Sequence, residues 1–280
     1  MHGQGHRRDG GGAIALRATG RRGGGVRWWL AALGALALLV AACTAADEPE
    51  QDLTLFAAAS LRAVTDELEA AWSEARPEVA LTVATEASNV LAARIAEGAR
   101  GDVFISADAA HPQRLAEEGW TAAAPVEFAR NELALVARRD GPVSDVNDLA
   151  EPGTRIVVGG PSTPIGRYTA LALGRLAQTT SDPEAFAAAV EANIASREDN
   201  VRAALAKVEL GEGDAAFVYR TDALGSAATV PIELPASARV DAAYSVVQLS
   251  STDDAADFVA WLRGPEARAV LAAAGFVVPG

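Results

Sequence analysis

Cysteine is almost missing from this 280-residue sequence: Cys43 stands alone, so no intramolecular disulfide can form. Histidine is nearly as scarce, and His111 is the only one beyond the first 43 residues. A serine hydrolase needs a base beside its nucleophile, and the G-x-S-x-G signature is absent as well. No Cys/His cluster supports zinc, and the Asp and Glu residues are too scattered to propose a metal site. Neither G-x-x-x-x-G-K nor G-x-G-x-x-G occurs, which argues against nucleotide binding. These absences weigh against an enzyme. Basic residues are short too. Six Arg and one Asp precede Cys43, leaving 18 basic residues against 36 acidic ones after it, a net charge of −18. Such a body disfavours nucleic acid or an anionic surface as partner. An anion could bind it only through a local site of oriented dipoles.

What is present reads as a globular chain: 50% hydrophobic and 22% charged, with length for one large domain or two smaller ones. Residues 1–42 read as a signal peptide. Arg7, Arg8, Arg17, Arg21, Arg22 and Arg27 make a basic start, and the apolar run Trp28–Ala42 has the length of a signal h-region and is short for a membrane span. The run ends at Val40-Ala41-Ala42-Cys43, which resembles a bacterial lipobox, with Cys43 as the lipidated residue. The alternative is an uncleaved anchor helix with an incidental cysteine. Residues 43–52 are then the lipidated Cys and a polar tether.

Strands and helices alternate after the tether. Leu53–Ala57, Asp102–Ser106, Leu133–Val136, Arg155–Val158, Ala215–Tyr219 and Tyr244–Leu249 read as strands. Leu61, Val64, Leu68 and Trp72 recur at helical spacing, Ile165–Leu176 reads as a helix, and Asp182-Pro183 opens another. Two short helices close the chain, near Asp253–Leu262 and Pro265–Ala274. The alternation predicts an α/β fold with largely parallel sheets.

In open α/β sheets a ligand sits beyond the carboxyl ends of the strands, where helix N-termini offer unpaired N–H groups. Four junctions carry candidates. Ser60 follows Ala57-Ala58-Ala59 at the opening strand-to-helix turn; on chemistry alone it simply caps its helix. Ser88 and Asn89 open the next helix and read equally well as caps. Ser106 and Asp108 read as turn chemistry, and His111 as a surface residue. The turn Gly159–Gly166 resembles a phosphate cradle only weakly. Asp199 or Asn200 would cap the helix that begins near Val201, and Tyr219 ends a strand, where a buried structural tyrosine is the default.

Taken together and in order, these segments resemble a known family. LFAAASL at Leu55–Leu61, Ser88 ahead of LAARI, GDVFISAD and NELALV are followed by Pro164-Ile165-Gly166-Arg167-Tyr168 and Glu198-Asp199-Asn200-Val201-Arg202. Phe217-Val218-Tyr219, Gly264-Pro265-Glu266-Ala267 and Gly275-Phe276 complete the set, which is similar to the periplasmic molybdate-binding proteins of ABC importers over everything from Leu53 onward. The resemblance implies a type II periplasmic-binding-protein fold: two α/β lobes, each a mixed, mostly parallel sheet flanked by helices, joined by a two-strand hinge. Lobe 1 would be residues 53–130 plus 237–280, and lobe 2 residues 131–236. It implies molybdate or tungstate as ligand, held by Ser60, Ser88, the N–H groups of Ile165 and Val201, and the Tyr219 hydroxyl. It implies no cofactor and a membrane permease as partner; one ligand and one importer require no more than a monomer, and the lipobox reading of Cys43 places the protein outside the cytoplasm at the cell membrane. Sulfate or phosphate on the same fold is the alternative. An iron carrier would show clustered tyrosines, and here only Tyr168, Tyr219 and Tyr244 exist. The sequence departs from the family at Ile165, where Ala is common, at Asn89, and at Glu86, a carboxylate two residues from Ser88 that would repel a dianion if it faced the cleft; Arg167 is the candidate to offset it.

Overall fold

The computed structural model describes residues 51–279. The signal-peptide and lipidation readings, including Cys43, lie outside the described residues. Among the described residues no helix is long and apolar enough to cross a membrane, and no group of three or more His, Cys, Asp or Glu residues is gathered as a metal site.

The first half of the fold grows around β1 (Gln51–Ala58), which lies between β2 (Val79–Glu86) and β3 (Val103–Ser106) and is parallel to both. A strand flanked on both edges and covered on both faces reads as a continuous apolar run, and β3 is buried at all four residues. Helix α1 (Thr65–Ala75) buries Thr65, Leu68 and Trp72, a spacing that puts one stripe against the sheet. The Trp72 indole N–H donates to the Val79 carbonyl at 3.2 Å, and its ring packs edge-on against Phe258 and Trp261. Those two belong to α8 (Asp253–Leu262), which with α9 (Pro265–Ala273) returns the C-terminal end of the chain to this half. The remaining helices here are α2 (Ser88–Ala96) and α3 (Ala110–Glu117).

The second half repeats the plan. Strand β5 (Ile156–Gly159) lies between β6 (Ile194–Glu198) and β7 (Ala215–Tyr219), parallel to both. Helices α4 (Pro164–Ala177), α5 (Pro183–Ala192), α6 (Val201–Glu209) and the single turn α7 (Arg220–Leu224) accompany these strands. Each of the first three is started by a side-chain cap, Thr163 accepting from the Gly166 N–H, Asp182 from Ala185 and Asn200 from Ala203, of which the sequence announced the last two.

Two antiparallel strands connect the halves. Strand β4 (Val126–Arg138) is 13 residues long; its first part pairs with β9 (Asp241–Gln248) and its second with β7 and with β8 (Thr229–Ile232). The sheet therefore runs β2-β1-β3-β9-β4-β7-β5-β6, with β8 alongside β4. Each half is mixed, its parallel strands outermost and an antiparallel strand at the junction, as the resemblance implied. Five strands and helices were not among the sequence expectations: β2, β6, β8, α3 and α7. The first helix also starts later than its apolar spacing suggested, at Thr65, because Ala59–Leu61 form a separate 3-10 turn.

Candidate functional site

Three helices begin at one cavity. Its wall on the β1 side is Ala58-Ala59-Ser60, Ala87-Ser88 and Ala107; the opposite wall is Thr163-Pro164-Ile165, Asn200-Val201 and Tyr219. All five residues named from the sequence as ligand contacts, Ser60, Ser88, Ile165, Val201 and Tyr219, line it. By the space open to the centre of a water-sized sphere it measures about 20 Å³, where one ordered water needs roughly 10–15 Å³ by that measure. Such a space suits a compact body.

Neither serine caps its helix. Ser60 lies inside the 3-10 turn, four residues short of the Val64 that precedes α1, and makes no capping bond. Its Oγ instead accepts a 2.7 Å bond from the Tyr244 hydroxyl on β9. Ser88 is the first residue of α2 and also makes no capping bond; its Oγ accepts the Ala107 N–H at 3.1 Å. Each serine oxygen is thus occupied as an acceptor while its own proton stays available to donate into the cavity. Both serines are buried.

On the opposite wall the caps decide which N–H groups remain. Thr163 takes Gly166 and Asn200 takes Ala203, so the first-turn N–H groups of Ile165 and Val201 have no acceptor within their helices. The Ile165 side chain packs so close to β5 that a Cβ on Gly159 would stand 2.4 Å from its Cγ2. Gly166 is pressed as tightly, with space for a Cβ only 2.0 Å from the Gly160 carbonyl oxygen. These glycines let α4 begin against the end of β5.

Tyr219 is fully buried, and its hydroxyl is among the few buried polar atoms in the described residues with no hydrogen-bond partner. A buried hydroxyl without a partner costs free energy that a structural tyrosine would avoid. Burial pushes its pKa well above the ordinary value, with the neighbouring Tyr244 ring next in effect, so the proton stays on the oxygen and can be donated. Burial raises Tyr244 in the same way.

The charged residues that were uncertain in the sequence are placed outside the cavity. Glu86 folds back to accept the N–H of Ala87 at 2.9 Å and does not line it. Arg167 does not reach Glu86; it pairs with Asp108. Asn89 gives its amide to Ser162 at 3.3 Å rather than to the cavity. His111 is a correction: it is buried, not superficial, because its Nδ1 meets the Asp108 carboxylate at 2.9 Å in the first turn of α3. No lysine, arginine or carboxylate lines the cavity. Its chemistry is that of neutral donors at three helix N-termini, with no acceptor suited to a ligand proton. Sequence reasoning missed Tyr244, which bonds Ser60 across 184 residues, and no local signal marks it.

Comparisons with known proteins agree with this architecture. The family description "bacterial extracellular solute-binding protein" matches residues 53–277. The molybdate-binding protein ModA of Mycobacterium tuberculosis is 32% identical over 235 residues, covering 82% of this chain and 85% of its own. A Bacillus subtilis chain, YvgL, provisionally named as an ABC transporter substrate-binding lipoprotein, is 30% identical and covers 89% of this chain and 96% of its own. Among solved structures, the periplasmic molybdate-binding protein of Azotobacter vinelandii superposes with a TM-score of 0.68 at 24% identity, covering 81% of this chain and all of its own. The chain belongs to the bacterial extracellular solute-binding proteins and has their two-lobed type II fold.

Proposed function

We propose that the chain captures molybdate, or tungstate, in the cavity between its halves and delivers it to an ABC importer. The observation that carries this reading is the buried, unpartnered Tyr219 hydroxyl at a small cavity lined by neutral donors and by no charged side chain. Such a site suits a compact anion that carries no proton. The proposed contacts are the Ser60 and Ser88 hydroxyls, the Ile165 and Val201 N–H groups, and the Tyr219 hydroxyl. Each hydrogen bond to a charged group contributes roughly 1.5–3 kcal/mol, so several in a dry cleft offset the dehydration of a dianion without a salt bridge. The names of the relatives support the same ligand class.

Sulfate is the second reading, because it shares charge and shape; a pocket sized for the larger oxyanion leaves sulfate under-contacted, and donors left unpaired are costly. Phosphate is the weaker alternative. It keeps a proton near neutral pH, and no lining residue offers a carboxylate to accept it. The same inventory, lacking a nucleophile with its base, supports a transport component rather than a catalyst.

In this reading lobe 1 is residues 53–130 plus 237–280 and lobe 2 is residues 131–236, hinged where the chain passes along β4 and returns into β9. Cys43 anchors the protein by lipid to the outer face of the cell membrane, where a monomer meets the permease; the lipoprotein name given to YvgL supports the anchor.

Calorimetric titration of the chain from Thr44 onward with molybdate, sulfate and phosphate tests the ligand. Tight one-to-one molybdate binding, lost when Ser60 and Ser88 are both changed to Ala, is expected. Binding of sulfate or phosphate without molybdate would reject it. Radiolabelled fatty acid should enter the wild-type chain but not a Cys43→Ser variant.

A further inference from the structure

Asp108 and Arg167 stand on opposite walls of the cavity, each within two residues of a lining position and neither lining it. Asp108 follows Ala107 on the β3 side; Arg167 lies two residues after Ile165 in α4. The Asp108 carboxylate is buried and held by its own wall. It accepts the Ser106 hydroxyl at 3.1 Å, the His111 N–H at 3.0 Å and the His111 imidazole at 2.9 Å. The Arg167 guanidinium, 40% exposed, comes from the other wall to meet this carboxylate, and lies 3.3 Å from His111 Nδ1. A second contact crosses beside it, from the Asn89 amide to the Ser162 hydroxyl.

From this geometry we propose that the Asp108–Arg167 pair is a latch: it forms only when the two halves approach, holds the cleft shut, and screens the Asp108 charge from an anion in the cavity. Asp108 already has three donors on its own wall, so that wall folds without Arg167. The pair is needed only across the gap. A carboxylate directly behind Ala107 would also repel a bound dianion, and a guanidinium on the same carboxylate cancels much of that field. Arg167 therefore acts by closure and screening, and is a positioning residue rather than a ligand contact. The screening half of this role rests on the oxyanion reading above; the latch itself does not.

Two measurements on the full chain in detergent test it. The first uses no ligand. Hydrogen exchange at the Ile165 and Val201 amides should quicken in Arg167→Ala and, for the wild type, in 1 M NaCl, while the melting temperature stays near that of the wild type. Unchanged exchange, or a fall in melting temperature matching the change, overturns the latch. The second is the dissociation rate of molybdate in three variants. Arg167→Ala should release it about tenfold faster, in line with a partly exposed charged pair. Asp108→Asn opens the latch but also removes the charge that repels the ligand, so it should speed release less than Arg167→Ala does, and adding Arg167→Ala to it should change nothing further. If Arg167 instead acts on the anion directly, that second change will speed release again, and the proposal falls. Failure of the wild type to bind molybdate rejects the oxyanion reading while the exchange measurement still decides the latch.

Discussion

The Tyr244 hydroxyl donates to Ser60 Oγ at 2.7 Å, joining β9 to the turn after β1 across 184 residues of sequence. The bond fills the acceptor side of the serine and leaves its proton facing the cavity. It also ties the Ser60 turn to a strand that pairs with β4, the strand connecting the halves.

Tyr244→Phe should therefore weaken molybdate binding about fivefold, the value of one ordinary hydrogen bond near 1 kcal/mol, without touching the ligand. Titration calorimetry on the variant, beside a thermal melt, checks it. The aromatic packing of this ring against Tyr219, Phe128 and Phe276 survives the change, so the fold should persist.

Tyr219→Phe separates affinity from stability. Its hydroxyl has no partner in the fold, so its loss should leave the ligand-free melting temperature unchanged or slightly raised. Molybdate affinity should nonetheless fall by roughly 10- to 100-fold, corresponding to about 1.5–3 kcal/mol for a bond to a charged group. A parallel fall in ligand-free stability would show the hydroxyl to be structural.

Asn200→Ala should lower stability by about 1 kcal/mol through loss of the α6 cap, and should lower affinity as well because the cap directs the Val201 N–H. Denaturant melts give the first quantity and calorimetry the second. Gly166→Ala should be far more damaging than its one added methyl suggests, since that carbon would meet the Gly160 carbonyl oxygen. Its soluble yield and melting temperature should both drop sharply.

Asp222 supplies a pH dependence. Burial raises its pKa to about 7 from 3.8, while Arg202 pulls it down. One of its oxygens lacks a hydrogen-bond partner. Between about pH 4 and pH 7 the folded chain binds more protons here than the unfolded chain, so this group's contribution to stability falls as pH rises through that window. Asp222→Asn should remove the slope and gain on the parent toward pH 8, by at most on the order of 4 kcal/mol for a shift of about three units. Urea melts from pH 4 to pH 8 read it directly.

Much of the fold was legible where the signal was local. Strands β1, β3, β5 and β7 are short apolar runs, and the helix starts at Asp182 and Asn200 announce themselves by cap chemistry. What stayed hidden depends on distant partners. Strand β2 is only partly buried, so its apolar content is diluted, and β6 and β8 are short edge elements whose pairing is fixed by neighbours far away in sequence. His111 looked superficial because nothing in its surroundings reveals that Asp108 turns to meet it. The five residues that line the cavity were reachable because they sit at strand-to-helix junctions, yet both serines read as caps when considered singly. Only the ordered set of motifs made them candidate ligand donors.

Two of the five proposed donors, at Ile165 and Val201, belong to the main chain, and every amino acid except proline carries that group. An alanine scan across the cavity would pass over both positions and undercount the site. Substitution alone can scarcely remove them; moving the start of α4 or α6 can. Recognition of this kind tolerates drift in side chains as long as the helices keep their first residue.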